Sequence, residues 1–161
     1  MDLSIEFHRY WNNSDHFYTT SPTWKPTDDY KHEGIACKIY RTNVGVRHEK
    51  DVKPLYLYRL EDHGDHLYTQ DLNEIGTQAK GEVGKHGYRC EGIAGYAHSE
   101  HVEGTIPLYR YYKKMEGSGQ GDHLYTTNAQ EIGVPLEANG KTGNSGYFFE
   151  KIACYVFPAD A

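Results

Sequence analysis

Cysteine is scarce in this chain: three residues in 161, an odd number, with two methionines beside them. Cys37, Cys90 and Cys154 lie far apart, with no Cys-x-x-Cys pair and no metal-ligand spacing. A disulfide framework or zinc ribbon is therefore excluded, and free, partly buried thiols in a reducing compartment are expected. Basic charge is also short, with 17 Lys and Arg against 23 Asp and Glu and a net charge of −6. No basic stripe is present, which argues against a nucleic-acid partner. The short "YRYYKK" at 109–114 reads as a strand end. No apolar run is long enough to span a membrane, and no basic leader precedes an apolar segment. The expectation is a cytoplasmic chain as it stands, or a secreted domain whose leader has been removed. Gly-x-Ser-x-Gly, His-Glu-x-x-His and phosphate-loop patterns are all missing, so no familiar catalytic motif is offered.

Aromatic residues are plentiful instead. Fifteen Tyr, five Phe and two Trp compensate for a hydrophobic content of only 37%. A phenol can be half buried with its hydroxyl in water, which suits small β-rich domains, sugar recognition and plain core filling.

The aromatics recur in order. An Asp-His motif appears as "DHFYTT" (15–20), "DHLYTQ" (65–70) and "DHLYTT" (122–127). An aromatic strand precedes each copy: "FHRYW" (7–11), "LYLYR" (55–59) and "LYRYY" (108–112), the last two introduced by Pro54 and Pro107. A third motif follows each: "YKHEGIACKIY" (30–40), "YRCEGIAGYAH" (88–98) and "YFFEKIACYVF" (147–157). Asp15 to Asp65 is 50 residues and Asp65 to Asp122 is 57; Glu33, Glu91 and Glu150 are 58 and 59 apart. Three motifs in one order at nearly one period indicate internal triplication.

Each unit reads as β-β-(short α)-β. The Asp-His strand closes a hairpin with the aromatic strand. Asp71, and Asn128 or Thr127, look like N-caps of short helices stopped by Gly76, Gly133 and Pro135. Pro22 and Pro26 keep the equivalent segment of unit one irregular. A unit of this size cannot bury enough surface alone. The expectation is one domain over 1–161, mainly β with short helices, holding three repeats at about 5–42, 54–99 and 107–158. Packed about a pseudo-threefold axis, they form a three-bladed propeller-like ring or, alternatively, a β-trefoil.

These motifs resemble a repeat family of unknown function whose units read Pro-Leu-Tyr-Arg-Leu-Tyr, Asp-His-Phe-Tyr-Thr and Gly-Tyr-x-Tyr-Glu-Gly-Ile-Ala-Gly-Tyr. Such repeats occur in bacterial and fungal proteins, often beside peptidoglycan or polysaccharide hydrolases. The resemblance implies an accessory, glycan-binding role. This chain departs from the pattern at His8, Leu57 and Lys151, so the three units need not be equivalent.

Two roles for the Asp-His motif follow from strand alternation, which puts His66 and Tyr68 on one face, as it does His16 with Tyr18 and His123 with Tyr125. In a scaffold, the Asp caps the preceding loop, the His donates to the Glu of the third motif, and the Tyr fills the core. In a ligand site, Asp15, His16, Tyr18 and Glu33, then Asp65, His66, Tyr68 and Glu91, then Asp122, His123, Tyr125 and Glu150, bond sugar hydroxyls. Trp11, Tyr58 and Tyr112 supply ring faces at the loop edges. Three weak sites on one body gain by avidity on a clustered glycan. The expected protein is a non-catalytic lectin-like module, monomeric or a small homo-oligomer, without cofactor. The competing classes are a protein-binding or defence-toxin scaffold, an enzyme using Asp-His-Glu, and a metal held by three His.

Overall fold

The computed structural model describes residues 2–61, 64–114, 121–133 and 141–161. It is mainly β, one nine-stranded antiparallel sheet. Strands come in consecutive threes. β1 (Ser4–Trp11) pairs with β2 (His16–Thr19) on one side and β3 (Lys31–Tyr40) on the other. β4 (Val52–Leu60) pairs likewise with β5 (His66–Thr69) and β6 (Tyr88–His98). β7 (Ile106–Lys114) pairs with β8 (Gly121–Thr126) and β9 (Phe148–Val156). The first strand of each group is thus central, flanked by the Asp-His hairpin strand and the third-motif strand. We call these groups units one, two and three.

Single bridges join the units: Tyr40 to Tyr96, His98 to Tyr155, and Lys38 to Phe157. One apolar core lies among all three units. It holds Phe7, Tyr18, Cys37 and Ile39, then Leu55, Tyr68 and Ala97, then Leu108, Tyr125, Cys154 and Val156. The three cysteines are free and buried, and burial pushes the Cys154 thiol up to about 12. Cys37 and Cys154 have Gly95 as their counterpart for a packing reason. A Cβ on Gly95 would lie 2.5 Å from Ile39 Cδ1 and 3.0 Å from the Tyr40 carbonyl oxygen, so no side chain fits there.

The expected short helices are not formed among the described residues. Residues 71–75 and 128–132 are turns, and 3-10 turns occur at Glu49–Asp51, Lys85–Gly87 and Asn144–Gly146. The capping chemistry is present: Asp71 accepts from the Asn73 N–H at 3.0 Å and Asn128 from the Gln130 N–H at 3.0 Å. Gly76 and Gly133 then take positive φ values of 90° and 80°, which end the turn before a helix can propagate. Pro135 lies outside the described residues.

Candidate functional site

Every third-motif strand bulges twice, at the same places. β1 passes from Arg9 opposite Gly34 to Tyr10 opposite His32, leaving Glu33 as an extra residue. Glu91 is skipped between Gly92 and Cys90, and Glu150 between Lys151 and Phe149. A bulge re-aims a side chain out of the strict alternation. Here it turns two of the three glutamates onto the histidine of the same unit. His16 Nε2 lies 3.2 Å from Glu33 Oε1, and His123 Nε2 lies 3.1 Å from Glu150 Oε1. His66 makes no such pair; Glu91 accepts from Arg59 Nε at 2.8 Å instead.

The aspartates face other units, not their own loops. Asp122 Oδ1 accepts the His16 backbone N–H at 2.8 Å and its Oδ2 accepts His16 Nδ1 at 2.6 Å. Asp15 does the same for His66, at 3.2 and 2.6 Å, and Asp65 for His123, at 3.0 and 2.7 Å. A tyrosine hydroxyl from the aspartate's own unit completes each carboxylate: Tyr30 on Asp15 at 2.5 Å, Tyr88 on Asp65 at 2.6 Å, and Tyr147 on Asp122. Loop capping by these aspartates is therefore corrected. At the 12–15 turn the side chain of Asn12 does that work, accepting from the Asp15 N–H at 2.7 Å.

The three carboxylates are buried, with one oxygen of each within 4.8 Å of the others. Such proximity is tolerable because a histidine and a phenol donate to each. Burial works against a charged imidazole, but Asp65 and Glu150 outweigh it and push His123 up to about 9. His16 is raised in the same way by Asp122 and Glu33. Burial pushes the Asp15 carboxyl up, against His66 and Tyr30, which hold it down. The three histidines envisaged as metal ligands each bond an aspartate through Nδ1, and the groups that lie close enough to share an ion are the three aspartates.

A second ring uses the tyrosines. Tyr68 Oη accepts the Tyr18 N–H at 2.7 Å and donates to the Tyr18 carbonyl at 2.7 Å. Tyr125 does this for residue 68, at 2.6 and 2.9 Å, and Tyr18 for residue 125, at 2.7 and 2.9 Å. The rings meet edge-on, with centroids 5.3–5.5 Å apart. Among the described residues, β2, β5 and β8 each have one edge without a strand partner, and a hydroxyl from the next unit satisfies its backbone.

Three of the clefts between the units each have one of the Asp-His histidines in the lining. Between units three and one, Trp11, His16, Glu33, Arg9 and Glu131 line a cleft of about 310 Å³. Trp11 stacks on His16 with centroids 4.2 Å apart. Between units two and three, Tyr112, His123, Glu150, Glu74 and Tyr88 line about 400 Å³. Tyr112 tilts over His123 at 4.6 Å, in room kept by Gly121, where a Cβ would strike its hydroxyl. Both clefts carry a cross-unit fork that the sequence did not disclose. Arg9 donates to Glu33 through Nε and to both oxygens of Glu131, at 3.1 and 2.8 Å. Arg110 donates to Glu150 and to both oxygens of Glu74, at 2.9 and 2.7 Å. Burial opposes its ionisation, but Arg110 holds Glu74 down to about 2.

The third cleft, between units one and two, is built differently. Phe17, Trp24, Pro26, Leu57, Arg59, His66, Lys80 and Glu91 enclose about 350 Å³. Leu57 stands at the position of Arg9 and Arg110, and Arg59 at that of Trp11 and Tyr112. Tyr58, expected at a loop edge, is fully buried and donates to the Thr77 carbonyl at 2.6 Å. A separate cavity of about 330 Å³, lined by Tyr40, His98 and Phe157 among others, shares no residue with these clefts.

Of the residues proposed from sequence, all six Asp and Tyr of the Asp-His motifs are buried in internal bonds. The three His are buried at cleft floors, and the three Glu, Trp11 and Tyr112 are partly exposed. Such an architecture defines a β-rich protein of three strand groups locked through a polar centre. The chain belongs to the family described as Domain of unknown function (DUF5648), whose model matches residues 6–157. No curated protein and no solved structure matches it. No helix among the described residues is long and apolar enough to cross a membrane.

Proposed function

We propose that this protein is a non-catalytic carbohydrate-binding module, whose sugar sites are the clefts floored by His16 and His123. One observation carries the reading. In each, an aromatic ring lies beside a histidine whose glutamate partner keeps one oxygen, Oε2, without a bond among the described residues. A ring face for the apolar side of a pyranose, and a fixed carboxylate oxygen for its hydroxyls, are the parts of a sugar site. In this reading the buried Asp and Tyr hold the histidines and do not touch ligand.

The same reading takes the three units as blades turned about a pseudo-threefold axis. The aspartate, tyrosine and bridge contacts support it, because each passes from one unit to the next and returns to the first. Binding without chemistry is supported by repetition, since the candidate groups recur rather than forming one asymmetric constellation. Two like sites on one rigid body give avidity on a repeating glycan.

A glycan array probed with the labelled full chain tests the proposal. Trp11→Ala combined with Tyr112→Ala is expected to abolish binding of neutral glycans while the melting temperature stays nearly unchanged. Absence of binding to any glycan at high protein density would remove the proposal.

A further inference from the structure

We propose that the cleft between units one and two is a separate site, one that takes a flat ring carrying a carboxylate. The cleft departs from its two counterparts in three ways that act together.

First, its histidine is left with an open end. His66 is 3% exposed, and Asp15 fixes its Nδ1. In the other clefts the second nitrogen is taken by Glu33 or Glu150. His66 Nε2 has no partner among the described residues, and the ring forms part of the cleft wall. Nε2 is not sealed in the core but open to the cleft, so a polar ligand group can reach a ring that Asp15 already holds in place.

Second, the walls are apolar and aromatic. Phe17 packs edge-on against His66 at 5.0 Å, and Trp24 edge-on against Phe17 at 5.5 Å. Leu57 and Pro26 complete the lining. Trp24 is 58% exposed, an unusual cost for an indole that nothing covers. These walls accept a ring.

Third, the rim is cationic. Arg59 uses Nε on Glu91, and its two terminal nitrogens have no partner among the described residues. Lys80, exposed at the same rim, has no ion-pair partner among the described residues. The lining thus carries Arg59 and Lys80 beside Glu91, and a guanidinium edge presents the fork that carboxylates bind. By contrast, the guanidinium fork in each of the other clefts is already spent on a protein glutamate.

A ring-bearing carboxylate can be an acidic sugar or an aromatic acid. Titration calorimetry of the full chain with D-glucuronate, benzoate and neutral D-glucose separates them, with Trp fluorescence as a second signal. Saturable binding of glucuronate or benzoate but not glucose is expected, and whichever of the two binds names the source. Trp24→Ala and the Arg59→Ala/Lys80→Ala pair alter exposed or rim positions, so folding should survive. Each is expected to weaken binding roughly tenfold or more, the first by removing a ring wall and the second by removing the charge-assisted contacts, while Trp11→Ala leaves it unchanged. Equal binding of glucose, no binding of either acid, or a Trp24→Ala protein that binds normally would overturn the site. Loss on Trp11→Ala would place the ligand in another cleft and overturn it as well. The glycan array with Trp11 and Tyr112 replaced reports on the other two clefts, so either reading can fail alone.

Discussion

Two of the three joints between units are ionic and one is apolar. At the joints of units three and one, and of two and three, an arginine from the central strand crosses to a turn glutamate of its neighbour. At the joint of one and two, Leu57 replaces the arginine, and Phe17 and Trp24 fill the space. Yet the aspartate and tyrosine contacts are the same at all three. The lesson is a division of labour. The inner polar rings fix how units sit against each other, and the outer layer varies from joint to joint without disturbing them.

That comparison can be broken hardest at the inner ring. Asp65→Ala strands the buried His123 and the Tyr88 hydroxyl, and should cost about 3–5 kcal/mol, the range for breaking a buried ion pair. Asp15→Ala at the apolar joint should cost a similar amount; a much smaller loss in urea unfolding would show that the inner rings are not equivalent. Next in size is Arg110→Leu, which copies Leu57 into an ionic joint without the surrounding aromatics. It leaves Glu74 and Glu150 without their fork, and a loss of about 3 kcal/mol is expected. The same experiment at Arg9, which is less buried, should show less.

Tyr68→Phe removes one hydroxyl that serves both an N–H and a carbonyl of residue 18, for an expected loss of about 2 kcal/mol. Tyr18→Phe and Tyr125→Phe should match it. The smallest and most selective test is pH. The folded pKa of His123 is raised to about 9, so its contribution is complete below the ordinary imidazole value and is lost as pH rises through about 9. Glu74 is depressed to about 2, so its contribution is present above the ordinary carboxylate value and fades as pH falls toward 2. Arg110→Leu should flatten the acid limb, which urea unfolding across pH checks.

Much of this was readable from the chain because repetition marks position. The hairpin of each Asp-His strand with the aromatic strand before it, and the burial of His16 with Tyr18, follow from motif and alternation. The His–Glu pair was legible for His16 and His123 and does not form at His66, where Glu91 bonds Arg59 from the position of Trp11 and Tyr112 and not an arginine from that of Arg9 and Arg110. What stayed hidden lies between units. No local rule says that Asp15 holds a histidine 51 residues away, nor that Arg9 reaches Glu131 across 122. The bulges that aim the glutamates also escaped, since a strand pattern with one residue too many still looks like a strand. The short helices were expected from sound N-caps, and Gly76 and Gly133 cut them to single turns.

The tyrosine clasp has a consequence for how the molecule is made. Unit one is finished by a phenol from unit two, two from three, and three from one, over a span of 107 residues. A nascent chain that has released only its first two units therefore presents β5 with raw backbone, a template for another molecule's strand. Completion comes with Tyr125, and truncation before it should yield inclusion bodies rather than a smaller soluble protein.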